Sequence, residues 1–280
     1  MKKLKNFLLY TNINKDRELE VANDVKSRVS LRGGTAHICC NEDIDLAAKE
    51  KGIDLDSLDA IIVLGGDGTL LRAAHTVGER YIPMIGVNLG TVGFLTEVDL
   101  PKVDEMVCRL MNGDYTIEKR MMLDGRVNDS NFTSLNDVVV ARQGALRLLA
   151  FKIFVNDVFF DTYEADGIIV STPTGSTGYN LSAGGPIVSP KASLILVTPV
   201  APHSLSKKSV VFSAEDSIRI ELVEKRKTQV NEALVSFDGF KNFEIGVNDK
   251  IEIRRSLNEL ELIKLDEESF YEVISRKFRI

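Results

Sequence analysis

A run of apolar residues, Ala60-Ile61-Ile62-Val63-Leu64, leads straight into Gly65-Gly66-Asp67-Gly68-Thr69 and then into Leu70-Leu71-Arg72-Ala73-Ala74. A strand apolar on both faces must be covered on both, and a helix that starts within a few residues of its end marks a parallel α/β unit. The junction is then the carboxyl end of a strand in an open sheet, where ligands sit. Its glycines are expected to adopt positive φ and let a ligand approach the backbone, with the first N–H groups of the helix free for phosphate. Gly and Asp are also ordinary turn formers, so a plain turn is the competing reading. The segment lacks the Gly-Lys-Ser/Thr of a Walker A loop and does not fit GxGxxG.

The rest of the first third keeps the same rhythm. Phe7 to Tyr10, Ala36 to Cys40 and Ile82 to Val87 read as strands. Lys15 to Leu31, residues 70 to 79, and Pro101 to Asn112 with Gly113 as the stop read as helices. After about residue 118 strands follow one another: Met122 to Val127, Leu135 to Val140, and Ala150 to Val155 turning through Asn156-Asp157 into Val158 to Phe160. Ile168 to Ser171, Leu194 to Val197, Ile218 to Val223, Leu234 to Phe237, Lys250 to Ile253 and Glu261 to Leu265 continue the series. Asp266 to Phe278 reads as a helix with Asp266 as N-cap. The expected fold is a Rossmann-like α/β domain with a mostly parallel sheet over residues 1–118. A β-rich, sandwich-like domain over 119–265 follows, and then a C-terminal helix, 266–280, packed back on the first domain.

Charge narrows the function. A net charge of −6 argues against a general nucleic-acid binder. An anionic substrate would be held locally, by backbone N–H groups, a few arginines or a bound cation. Cys39, Cys40 and Cys108 form no CxxC pair, and His37, His75 and His203 have no ligand spacing, so thiols in a reducing, cytoplasmic setting and no zinc site are expected. The apolar run after Met1-Lys2-Lys3-Leu4-Lys5-Asn6 is too short for a secretory leader, and no stretch reaches membrane-span length.

Two further segments look ligand-facing. Asp166-Gly167 and the strand to Ser171 open a loop rich in hydroxyls and glycine, Thr172-Pro173-Thr174-Gly175-Ser176-Thr177-Gly178-Tyr179-Asn180-Leu181-Ser182-Ala183-Gly184-Gly185-Pro186. It is either a phosphate or ribose pocket, with Tyr179 stacking on a flat ring, or a solvated loop. Gly86-Val87-Asn88-Leu89-Gly90-Thr91-Val92-Gly93-Phe94-Leu95 is either a close approach to a ligand or a tight connection.

In order along the chain, GGDGTLLRAA, NLGTVGFLTE, LNDVVV, ADGIIVSTPTGSTGY and SAGGPI resemble the NAD kinase family. GGDG alone is weak, because phosphofructokinases and diacylglycerol and sphingosine lipid kinases carry similar elements; the ordered set is specific. The resemblance implies transfer of a phosphoryl group from ATP or polyphosphate, with Mg²⁺, to the 2′-hydroxyl of the adenosine ribose of NAD. It also implies a homodimer or homotetramer that binds neither nucleic acid nor membrane. Alternatives are a lipid kinase sharing GGDG and a non-catalytic NAD-binding regulator.

The same resemblance implies Asp67 as proton acceptor, with Gly68 and Arg72 beside it against the dinucleotide. It puts Gly65, Gly66 and Thr69 on the phosphate-donor side. Asn136-Asp137 matches an Asn-acid pair in which many relatives have Glu second, and Arg147 matches a basic residue downstream. Asp166 and the stretch Thr177, Gly178, Tyr179, Asn180, Leu181 and Ser182 match the rest of the NAD pocket. Gly178 replaces a frequent Ala, and Glu164 departs from the family pattern, so no contact is carried over to it. Arg72 and Arg147 also read as surface arginines, and Asn136 as a strand-edge residue.

Overall fold

The computed structural model describes the chain except residues 41–43, 78–79, 81, 91–92, 145–148, 205, 225–232, 267–269 and 279–280. It divides into two compact units, Met1–Lys119 with Leu260–Ile280, and Arg120–Glu259.

In the first unit the elements run β1 (Asn6–Thr11), α1 (Glu20–Leu31), β2 (Thr35–Cys39), α2 (Ile44–Lys51), β3 (Ala60–Gly65), α3 (Asp67–Val77), β4 (Met84–Asn88), β5 (Val98–Asp99) and α4 (Val103–Asn112). The strands are parallel in the order β4-β3-β1-β2, with β5 outside β4. One face carries Phe7, Leu9, Ile62, Leu64 and Val87 against Val25 and Val29 of α1 and Met106 and Leu110 of α4. The alternate residues Leu8, Ile61 and Val63 are equally buried, so the sheet is covered on both sides, as a continuous apolar strand requires.

Helix α1 starts later than its periodicity predicts. Lys15 and Asp16 donate their backbone N–H groups to Asn12 O, closing a turn, and Leu19 is left-handed at φ 55°. The Asp16 carboxylate accepts from Val21 N and Ala22 N at 3.1 and 3.0 Å, so it caps the helix from outside it. Helix α2 and the short β5 have no counterpart in the periodicity reading. Gly113, left-handed at φ 81°, ends α4 where the sequence places the stop.

The second unit follows with β6 (Thr116–Val127), β7 (Ser130–Ser134), β8 (Asp137–Arg142), β9 (Leu149–Val155), β10 (Val158–Ala165) and β11 (Gly167–Ser171). Next come α5 (Tyr179–Ser182), β12 (Leu194–Val200), β13 (Val210–Ser213), β14 (Ile218–Leu222), β15 (Ala233–Phe237), β16 (Lys241–Ile245) and β17 (Lys250–Lys264). An antiparallel sheet runs β13-β12-β11-β8-β15-β16. A second layer pairs β10-β9-β14-β17 antiparallel. Val138, Val140, Ile168, Val170, Val235 and Phe237 of the first layer share one core with Phe151, Ile153, Tyr163, Ile218 and Ile251 of the second. The unit is the expected β-sandwich.

Two strand predictions merge: Lys250 to Ile253 and Glu261 to Leu265 are one strand, β17, whose last residues belong to the first unit and pair parallel with β4 at Leu262 and Met84. Strands β7 and β16 carry too few apolar residues to stand out in the sequence, and β13, Val210–Ser213, is apolar but only four residues long. The Asn156-Asp157 turn has φ 50° and 64°, the tight hairpin the dipeptide predicts. Helix α6 is described over Phe270–Phe278 and belongs to the first unit. Asp266, expected as its N-cap, accepts from Arg109 Nη1 at 2.8 Å, and the amides it would cap lie outside the described residues.

Candidate active site

The GGDG segment is tighter than a turn. Gly65 is the last residue of β3, and Asp67 already lies in the first turn of α3. Contrary to expectation, neither Gly65, Gly66 nor Gly68 has positive φ. Gly65 is needed for closeness instead, since a Cβ there would stand 2.3 Å from Thr69 Oγ1. Thr69 Oγ1 accepts from Asn12 Nδ2 at 3.2 Å, tying the loop after β1 to the start of α3. At Gly68 a Cβ would meet nothing within 4 Å, so this glycine opens onto free space. Arg72 is exposed one turn further along α3.

Asp67 is gripped by the segment that leaves β4. Its Oδ2 accepts from Phe94 N at 2.6 Å, and Oδ1 accepts from Leu95 N at 3.0 Å and Thr96 N at 3.2 Å. Thr96 Oγ1 adds a longer contact at 3.4 Å. A carboxylate has about four acceptor sites, so most of its capacity is taken. A Cβ on Gly93 would lie 1.8 Å from Asp67 Oδ1, so this carboxylate can dock only because residue 93 is glycine. Asn88 closes the intervening loop, accepting from Gly90 N at 3.0 Å and donating to Gly90 O at 2.9 Å. Phe94 is held in turn by α6: Lys277 Nζ sits 4.0 Å from its ring centroid and the Phe278 ring 6.5 Å away. Burial holds the Lys277 ammonium below its usual pKa, against the pull of Asp67.

In the second unit, Asn136 and Asp137 stand where β8 begins. The Asp238 carboxylate accepts from the backbone N–H groups of Leu135, Asn136 and Asp137 at 2.7, 2.9 and 2.8 Å. From the other side Thr172 N and Ser171 Oγ donate to Asn136 O at 2.9 and 3.1 Å, and Thr172 Oγ1 donates to Leu135 O at 2.6 Å. The backbone is fixed, yet among the described residues neither side chain has a hydrogen-bond partner. Asp137 is 7% exposed, and desolvation, then the charge of Asp238, pushes its carboxyl up to about 7. A Cβ at Gly178 would stand 3.5 Å from Asn136 Nδ2 and 3.8 Å from Asp137 Oδ2, so the loop passes its smallest residue over both groups. Asp238, unnoticed in the sequence, had a signal: Asp238-Gly239 is a hairpin-turn dipeptide.

The Thr172–Pro186 loop is folded rather than solvated. A 3₁₀ turn over Thr174–Thr177 leads into α5. Asn180 is wholly buried and its side chain serves the fold, donating to Ser176 O and Pro186 O at 3.1 Å and accepting from Thr198 Oγ1 at 2.6 Å. Its side-chain amide is thus committed to the loop and to β12. Thr177, Leu181 and Ser182 lie at least partly exposed beside it, and Tyr179 is 47% exposed, free to stack. Asp166 is paired with Arg142, Nε to Oδ1 at 2.7 Å. Arg147 lies outside the described residues.

The sequence compares as follows. Residues 7–115 match the ATP-NAD kinase N-terminal domain and residues 135–265 the ATP-NAD kinase C-terminal domain. A protein named NAD kinase from Lachnoclostridium phytofermentans is 38% identical, over 98% of this chain and 99% of that protein. Another from Agathobacter rectalis is 41% identical, over 98% of each. Among solved structures, yeast NADH kinase complexed with NADH aligns at TM-score 0.86 and 24% identity, covering 100% of this chain and 89% of that one. An NAD kinase from Archaeoglobus fulgidus in complex with ATP aligns at TM-score 0.79 and 23% identity, covering 99% of each. Both likenesses are of fold.

Proposed function

This chain belongs to the NAD kinase family, and from that membership we propose that it phosphorylates the 2′-hydroxyl of the adenosine ribose of NAD, giving NADP. The observation that carries the assignment of roles is the seat of Asp67, a carboxylate at the carboxyl end of a parallel strand, held by three backbone N–H groups beside an open glycine. A carboxylate fixed this way can orient a hydroxyl without reorganising as it reacts.

In the reaction the ribose oxygen forms its bond to the terminal phosphorus of ATP as the bond to the bridging oxygen breaks and ADP leaves. The hydroxyl proton passes to Asp67. Phosphoryl transfer is loose, so positioning and charge neutralisation outweigh early deprotonation. Among the described residues Asp67 Oδ2 accepts from Phe94 N alone, so its second lone pair is the place for that proton, while Oδ1 is held by Leu95 N, Thr96 N and the Thr96 hydroxyl. Mg²⁺ bound to the triphosphate would supply charge neutralisation. Such a cation is carried by the donor's phosphates and needs few protein ligands. Asn136 and Asp137, with their unpartnered polar groups beside Gly178, would take the ribose hydroxyls, and Tyr179 a flat ring. Gly68, Arg72, Asp166, Thr177, Leu181 and Ser182 complete the proposed NAD contacts, with Asn180 holding their loop.

We also propose a homo-oligomer in the cytoplasm. Val158 and Phe159, 70% and 54% exposed on β10 at the end of its sheet, fit a face covered by another copy, and the three free cysteines suit a reducing compartment.

The test is incubation of the pure protein with NAD, ATP and Mg²⁺, reading product with an NADP-specific dehydrogenase, beside a diacylglycerol arm with labelled ATP. NADP formation is expected. Label in lipid with none in NAD would overturn the proposal.

A further inference from the structure

We propose that Lys15 is the side chain that grips the phosphoanhydride chain of the phosphoryl donor. The inference rests on the phosphoryl-transfer reading above and adds to it a residue that neither the motifs nor the family pattern pointed to.

The loop after β1 carries Lys15 to the carboxyl ends of the two neighbouring strands. Asn12 organises it, with Lys15 N and Asp16 N donating to Asn12 O at 2.9 and 3.0 Å, and Asn14 N donating to Asn12 Oδ1 at 3.0 Å. The Asn12 amide also binds Thr69 Oγ1, so the turn is pinned to the GGDG segment. From this base the Lys15 ammonium reaches over two glycines on different loops. It would stand 3.4 Å from a Cβ on Gly66 and 3.0 Å from a Cβ on Gly90. Any side chain at Gly90 would crowd it, and one at Gly66 would touch it. Neither glycine has positive φ, and together they leave the backbone of both loops bare beneath the ammonium.

Among the described residues no carboxylate pairs with the ammonium. Its sequence neighbour Asp16 spends its carboxylate on Thr11 Oγ1, Val21 N and Ala22 N. Among the described residues Lys15 makes no ion pair or hydrogen bond through its side chain. An exposed cation, unpaired among the described residues and lying over two bare backbone turns, one of them next to Asp67 in the chain, matches a bridging or terminal phosphate oxygen of the donor. NAD also carries a pyrophosphate, so donor and acceptor are told apart by which KM responds to loss of the charge.

The experiment uses the full chain as wild type, Lys15→Met and Lys15→Arg, with thermal melts to show that each is folded. Donor KM is measured with ATP and, in a second arm, with polyphosphate at saturating NAD; NAD KM is measured at saturating donor. MgATP binding without NAD is followed by calorimetry. Losing one charge-assisted contact should raise donor KM about ten- to hundredfold in Lys15→Met and weaken MgATP binding to match. NAD KM should move less than about twofold, and Lys15→Arg should recover most of the loss. A purely structural lysine would lower the melt and move both KM values together. Donor KM and MgATP binding unchanged in folded Lys15→Met would overturn the proposal. If the wild type makes no NADP, the phosphoryl-transfer reading fails separately, and equal MgATP binding by wild type and Lys15→Met overturns the role of Lys15 on its own.

Discussion

The backbone N–H of Phe94 donates to Oδ2 of Asp67 at 2.6 Å, and Gly93 just before it leaves the space that the other oxygen, Oδ1, occupies. The Asp67 carboxylate and the loop leaving β4 are thus one mechanical unit.

Gly93→Ala should break that unit. The added methyl would fall 1.8 Å from Asp67 Oδ1, so the carboxylate or the loop must move. We expect kcat to fall by at least about a hundredfold, the lower end of what a positioned base contributes. Overpacking should cost about 1–3 kcal/mol of stability. Steady-state kinetics beside a denaturant melt reads both, and a variant with wild-type kcat would contradict the coupling.

Two glycines of the second unit should respond oppositely. Gly178→Ala meets Gly175 O at 3.2 Å and the side chains of Asn136 and Asp137 at ordinary contact distance, so NAD KM should change less than about threefold. Gly175→Ala would place its methyl 2.2 Å from Asn136 O and should unseat the Asn136-Asp137 pair, raising NAD KM by about tenfold or more. Equal effects from the two substitutions would argue against that pair as the ribose contact.

Asp137 gives the fold a pH dependence. Its carboxyl, ordinarily near 3.8, ionises only near about 7 in the fold, because of burial and then Asp238. A carboxyl harder to ionise folded than unfolded costs no stability below about pH 4; the penalty grows as pH rises and is complete above about 7. Asp137→Asn lacks this penalty, so the variant should gain on wild type by about 1–3 kcal/mol between about pH 5 and pH 8. Parallel denaturant melts measure it, and a constant difference across that range would mean that the carboxyl is already ionised at about pH 5.

Helix α6 should steady the Asp67 loop through Lys277 and Phe94. Removing the cation in Lys277→Met loses a contact of about 0.5–1 kcal/mol. Hydrogen exchange at the Phe94, Leu95 and Thr96 amides should accelerate about two- to fivefold, as that energy allows. Unchanged exchange at all three would show that the ring contact does not reach Asp67.

Most of the fold is legible in the sequence because strands buried on both faces, such as Ala60–Leu64, leave no other reading. The polar strands β7 and β16 and the four-residue β13 escape it, since they are set by their partners rather than by their own periodicity. Asp67 and Asn136-Asp137 stand out through motifs. Gly93 lies in a motif too, but not its contact with Asp67, and Asp238 and Lys15 lie in none: all three act across gaps of tens of residues, and spacing along one chain carries no record of which loops meet. Asn180 shows the converse, a residue inside a ligand motif whose amide is consumed by Ser176, Pro186 and Thr198.

The most direct test is the rate of NADP formation by pure Asp67→Asn with saturating NAD, ATP and Mg²⁺. The amide keeps the size of the carboxylate but loses its basicity, and its NH₂ cannot accept from the loop amides that now bind both oxygens. A melt should therefore show a loss of about 1–3 kcal/mol, with the transition still cooperative. In that folded variant kcat should fall by about 10²–10⁴, with NAD binding weakened less. A folded Asp67→Asn protein with near-wild-type kcat would contradict Asp67 as the proton acceptor and the account built on it.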